Sequence, residues 1–250
     1  MKNYFLIFSL SFCISLNFFG QRIFESQYID FHYNSNWTLG DLSKRYGYLN
    51  NIGAGMHFKS KNNFTIGFDA SFIFGNNFKS EFDSVFSHLT DSYGNITDIN
   101  GDIARVLVYS RGLYSNFILG QLIPLNKNKP RDYLWVKIGI GYLQHRFRIE
   151  TNSQVVPQIE QDYRKGYDRF TNGINFSQSV SYAFIPEERY YNFHVGFYIQ
   201  EGLTYNRRTL NLDQPDVPVS KDLRMDIQIG LRAGWLIPFY KAQPKDYYFE

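Results

Sequence analysis

The sequence predicts an all-β chain: an eight-stranded antiparallel up-and-down transmembrane β-barrel with short periplasmic turns and long extracellular loops. Three observations predict it. Eight segments after residue 25 alternate apolar and polar residues with period two, as a strand with two unlike faces must. The last of them, Leu223 to Phe239, would reach roughly 55 Å at about 3.3 Å per residue, far longer than a typical soluble strand. The connections alternate short and long, which puts turns at one end of a barrel and loops at the other.

Composition sets the outer bounds. The 250 residues include 24 Phe and 20 Tyr, so that aromatics make up 19% of the chain. A chain this aromatic has apolar surface to bury and is not of the disordered class. A mean hydropathy of −0.35, with no long apolar run beyond the N-terminus, excludes a bundle of membrane helices. The net charge of +3 is spread along the chain without a basic stripe, so no nucleic-acid partner is expected.

Residues 1–20 read as a signal peptide. Lys2 supplies the positive start, Tyr4 to Phe19 the apolar stretch, and Gly20-Gln21 the cleavage region. A retained anchor and a lipid attached at Cys13 are the alternatives, but Phe12 is too bulky before a lipidated Cys. Removal of this segment leaves a chain without Cys, so no disulfide, metal thiolate or catalytic thiol is expected. Residues 21–240 form the barrel and 241–250 a periplasmic tail.

The strands follow in order. Tyr28–Asn34 sets Ile29, Phe31 and Tyr33 against Asp30, His32 and Asn34. Ile52–Phe58 sets Ile52, Ala54 and Met56 against Gly53, Gly55 and His57. Phe64–Phe74 opposes a Phe-rich face to Thr65, Gly67, Asp69 and Ser71. Ala104 to Ile123 is irregular, because Arg105 and Arg111 share parity with Leu107 and Leu113, and this predicts a bulge. Leu134–Tyr142, Ile174–Phe184, Phe193–Tyr205 and Leu223–Phe239 complete the set. Trp235, Phe239 and Tyr240, Tyr133 and Trp135, and Tyr190 and Tyr191 lie near strand ends, where interfacial girdles are expected.

Eight strands enclose a space that side chains fill, so no diffusion pore is expected. Inward charges then need partners, and Asp69, Lys137, Arg224, Asp226 and Arg232 are read as one interior ion-pair and hydrogen-bond network. A soluble lipocalin-like carrier would bury the opposite face. The strand length, the small residues on the polar face and the mixed charges there favour the membrane reading.

Function is sought in the loops, where barrel scaffolds place it. Segment 75–103 is long and acidic, and Phe82, Val85, Phe86 and Leu89 are spaced for an amphipathic helix. Segment 149–171 interleaves Tyr163, Arg164, Tyr167 and Arg169, a pattern suited to a protein interface or anionic lipid headgroups. The two loops either bind a partner or fold over the barrel mouth, and their opposite charges allow them to pair. Tyr247 and Tyr248 in the tail are further partner-binding candidates. Asp98, Asn100 and Asp102 alternate as calcium ligands do, but Asx/Gly clusters are also ordinary turns. No HExxH, Gly-x-Ser-x-Gly or phosphate-binding loop occurs, so no cofactor, metal or enzymatic activity is expected. A lipid-modifying barrel enzyme using a Ser/His pair is the alternative.

With these residues laid out, the chain resembles the small outer-membrane β-barrel proteins of Bacteroidota. The Phe/Tyr/Asn/Lys usage, the signal peptide before Gln21 and strands such as Trp135-Val-Lys-Ile-Gly-Ile-Gly-Tyr142 carry the likeness over the whole mature chain. Within that group it is similar in style to the PorT-like and PorG-like barrels. The resemblance implies outer-membrane lipid as surroundings. It also implies an accessory, non-enzymatic role in a type IX secretion or envelope complex, with other envelope proteins as partners.

Overall fold

The computed structural model describes residues 26–79, 85–126, 131–160, 162–186 and 191–239. The signal peptide, Phe82, Tyr190, Tyr240, and the tail with Tyr247 and Tyr248 lie outside the described residues. Eight long strands close into one barrel: β1 (Ser26–Gly40), β2 (Tyr48–Lys59), β3 (Phe64–Gly75), β4 (Leu107–Pro124), β5 (Asp132–Glu150), β6 (Thr171–Phe184), β7 (Asn192–Asn206) and β8 (Arg224–Phe239). Each is antiparallel to its sequence neighbours, and β1 closes the ring against β8.

The register fixes the geometry. The pairing runs Asp30–Gly55–Asp69–Asn116–Gly141–Asn175–Gly202–Asp226 and returns to β1 at Gly40. That is ten residues beyond its start. A shear of this size over eight strands tilts them by about 40°.

The faces follow the predicted parity. Phe31, Ile52, Phe68, Ile138, Ile174 and Phe197 face outward and are exposed, Phe197 by 69%. Asp30, Asp69, Lys137, Asn175, Gln200 and Arg232 face inward and are buried. An apolar exterior around a polar interior is the polarity of a transmembrane barrel. On β5 the outward apolar run from Leu134 to Tyr142 covers roughly 20 Å of bilayer normal at this tilt.

Three expectations are corrected. First, β4 carries no bulge: its register is unbroken from Leu107 to Pro124 against β5 and from Ser110 to Gln121 against β3. Its irregular phase arises because Tyr114, Ile118 and Leu122 point inward while Arg111 points outward. Second, the apolar-outward alternation of Leu134–Tyr142 does not hold along all of β5: above Tyr142 the polarity reverses up to Glu150. Leu143, Phe147 and Ile149 turn inward, and Arg146 and Arg148 outward. Third, Tyr133 and Trp135 are buried inside the barrel and are not part of a girdle. Trp235 does face outward and is half exposed.

Candidate functional site

The interior is built in layers. At the turn end Tyr28, Leu122, Tyr133, Trp135, Ala183 and Leu236 form an apolar floor. Directly above it lies a charged cluster. Arg232 Nη2 donates to Asp69 Oδ2 at 2.7 Å and to Asp30 Oδ2 at 3.1 Å. His194 Nε2 donates to Asp30 Oδ1 at 2.9 Å. His57 Nε2 lies 3.2 Å from Asp69 Oδ1, and His32 Nδ1 lies 3.4 Å from Asp30 Oδ2. Lys137 Nζ stands 3.9 Å above the centre of the Trp135 ring, a cation–π contact that substitutes for an ion pair. Two glycines make room for these groups. A Cβ on Gly55 would sit 2.2 Å from Asp69 Oδ1, and one on Gly234 2.2 Å from His194 Nε2.

Further up, Asn34 Nδ2 donates to the Tyr114 hydroxyl at 2.8 Å, and the Tyr114 and Tyr198 rings stack at 6.3 Å. Near the mouth Asp226 Oδ2 accepts from His145 Nε2 at 2.8 Å and from Thr204 Oγ1 at 2.5 Å. The five interior residues read from the sequence therefore fall on two levels. Asp69, Arg232 and Lys137 sit low, and Asp226 sits high with Arg224 at the start of β8. Asp30 was left out of the predicted set, yet it is the hub of the lower level, facing Arg232, His194, His32 and His57. The available signal was its inward parity with His32, on a face that also receives His57 and His194.

Two constellations in this cluster have chemical connectivity. Single ligand atoms of Asp30, His57 and Asp69 lie within 4.8 Å of one another, as metal ligands do. Arg232 already gives both carboxylates a positive partner, so the group is an ion-pair cluster rather than an uncompensated cation site. Ser71 Oγ lies 2.7 Å from His32 Nε2, whose Nδ1 faces Asp30. This is the order of a nucleophile, base and orienting acid. Ser71 is only 2% exposed inside the packed barrel, and a hydrolase needs its nucleophile open to a substrate.

The loops form the second region. The described residues of 76–79, 85–106, 151–160, 162–170 and 207–223 fold together over the mouth. Val85, Phe86, Ile96, Ile149, Val156, Ile159 and Tyr167 share a buried apolar cluster, against which Leu212 packs. Phe86 and Tyr167 were expected to meet a partner; both are buried in this cap and present no surface. His88 Nε2 lies 2.5 Å from the Tyr167 hydroxyl, with the two rings stacked. Tyr163 is exposed, and Arg164 Nε donates to Ile159 O at 3.4 Å.

Arg169 adopts a left-handed backbone, φ +46°, which costs a non-glycine residue free energy. It is held there by an ion pair to Asp213 at 2.8 Å and by its position over the Phe147 ring. Arg208 also reaches Asp213, at 2.8 Å. The basic loop thus pairs with Asp213 of the last loop, and meets the acidic loop through apolar and ring contacts. Burial pushes the Asp213 carboxyl up, but the hydrogen bond from Arg169 and the charges of Arg208 and Arg169 outweigh it and hold it below the usual range. Asp98 Oδ1 accepts from the backbone N–H of Asn100 and Asp102 at 2.8 and 3.0 Å. The calcium-like spacing is turn chemistry.

Fold and interior together define a transmembrane β-barrel with a filled lumen and a loop cap. No protein-family model and no curated protein matches the sequence. Among solved structures the chain is similar to the attachment invasion locus protein Ail of Yersinia pestis, solved with the heparin analogue sucrose octasulfate. The identity is 12% over 86% of this chain and 97% of Ail, with a TM-score of 0.40. It is similar also to the N-terminal β-barrel domain of Pseudomonas aeruginosa OprF (8% identity, 86% and 100% covered, TM-score 0.37). A third is Neisserial surface protein A (10%, 83% and 95%, TM-score 0.33).

Proposed function

We propose that the chain is a non-catalytic barrel of the outer membrane of a Gram-negative bacterium of the Bacteroidota kind. In this reading it is an accessory subunit of an envelope or type IX-like secretion assembly. The observation that supports this most is the filled, ion-paired interior beneath a self-packed cap. A sealed lumen conducts nothing and admits no substrate, so the surfaces left for function are the outside of the cap and the tail 241–250. The cap carries apolar side chains that its own core does not use: Tyr93, Ile99, Ile103, Tyr163 and Leu210 are all exposed. Partners would meet these, in place of Phe86 and Tyr167.

The test is purification of the tagged chain from native membranes in mild detergent, with mass spectrometry of what accompanies it. A stoichiometric set of envelope or secretion proteins supports the reading, and a lone barrel overturns it. A deletion strain with altered lipid acylation would overturn the non-catalytic part.

A further inference from the structure

We infer that the outward face of β4 and β5, immediately above the apolar belt, binds the phosphorylated headgroup of an outer-leaflet lipid. This rests on the reading of the chain as a membrane barrel.

Arg111 and Arg146 are directly opposed partners in the β4–β5 ladder, and both point outward. Like charges in such a pair repel. Among the described residues no carboxylate lies within ion-pair distance of either. The next rung pairs Tyr109 with Arg148. Arg148 is satisfied by Glu150 at 2.7 Å, and the Arg111 guanidinium is held over the Tyr109 ring at 5.0 Å. Asp168 lies in electrostatic reach of Arg146 without an ion-pair contact, and Arg111 Nη1 donates to Ser110 O at 2.8 Å. Two adjacent planar forks thus share at most one carboxylate and keep donors for a phosphate, which arginine binds through paired hydrogen bonds.

Their height selects the source of that phosphate. Below them on the same face come the rungs Leu113–Gln144, Ser115–Tyr142 and Phe117–Ile140. Arg146 thus stands about 10 Å above Tyr142 at this strand tilt, at the headgroup level. Beside Arg111 on β3 sits Phe74, stacked on Phe72 at 6.3 Å. Acyl chains would therefore lie against Phe72 and Phe74 while the phosphate meets the arginines. One rung below Arg146, β6 places Asn172 beside Gln144, and Asn172 Oδ1 accepts from Arg207 Nε at 2.6 Å, so a third guanidinium flanks the site.

The full chain, folded in detergent micelles, is titrated with diphosphorylated lipid A, with phosphatidylcholine and with inorganic phosphate. Lipid A is expected to bind about tenfold tighter than phosphatidylcholine, and R111Q/R146Q to lose about that factor. K44Q, which removes an exposed charge following β1 on the opposite side of the ring, is expected to leave the affinity unchanged. Equal lipid A affinity in R111Q/R146Q would overturn the site, as would an equal loss in K44Q or saturation by inorganic phosphate alone. Heat-modifiable gel migration confirms that each variant is folded. Failure of the underlying membrane reading would appear separately, as release of the chain from membranes by carbonate.

Discussion

Strand β5 crosses two regions that obey opposite rules. From Leu134 to Tyr142 it turns apolar side chains outward and Lys137 inward. From Leu143 to Glu150 it turns Leu143, Phe147 and Ile149 inward and Arg146 and Arg148 outward. The backbone and the ladder to β4 are continuous across the change. Nothing in the strand itself dictates which face is apolar; the surrounding solvent does. Hydrocarbon surrounds the lower part and demands a polar residue only where protein can pair it. Water surrounds the upper part, and the ordinary soluble rule returns.

The largest effect that sharpens this contrast is expected at Arg232. R232M leaves Asp30 and Asp69 facing each other without their shared cation, and should cost about 3–5 kcal/mol in urea unfolding from micelles. Neutralising the acids as well, in D30N/D69N/R232M, should recover much of that. A triple variant as unstable as the single one would refute the ion-pair account. In the upper region F147A should cost a similar about 3–5 kcal/mol, since Phe147 packs edge-on against Tyr46 and Phe78. Its hydrogen-exchange signature should stay in the cap, leaving the amides of the lower barrel protected.

A pair of substitutions on one strand tests the rule directly. I140R places a charge in the belt and should cost about 2–4 kcal/mol, while R146I, two turns of the pleat above Tyr142, should change stability little. Equal costs would erase the distinction between the regions. The smallest effect is a pH response of the cap. The Asp213 carboxyl is held below the usual range by Arg169 and Arg208. Its stabilisation is therefore complete above the ordinary carboxylate pKa and is lost as pH falls through the lowered value. Exchange in 164–170 and 207–213 should rise on acidification, and D213N should show the fast exchange already at neutral pH.

The same change of solvent explains what could be read from the sequence. The belt was legible, because Phe64–Phe74 and Leu223–Phe239 keep one phase throughout. The upper end of β5 and the faces of β4 were not. On β5 the alternation continues past Tyr142 but its sense inverts, and on β4 the inward Tyr114, Ile118 and Leu122 with the outward Arg111 blur the two faces and mimic a bulge. The cap was opaque, since Val85, Ile96, Val156 and Ile159 follow no period and meet only through tertiary packing. Inward charges were visible one by one. Which of them touch depends on the shear, and no strand taken alone records it.

Closure of β1 on β8 also governs how the molecule must be made. Gln27 pairs with Phe239 and Gly40 with Asp226, so the first and last strands synthesised seal one another. No stable partial barrel precedes that event, because every incomplete sheet would leave two unpaired edges. The nascent chain must therefore travel to its membrane unfolded, with Phe31, Phe68 and Phe197 uncovered throughout the journey. Its survival until insertion depends on escorts that shield it from self-association.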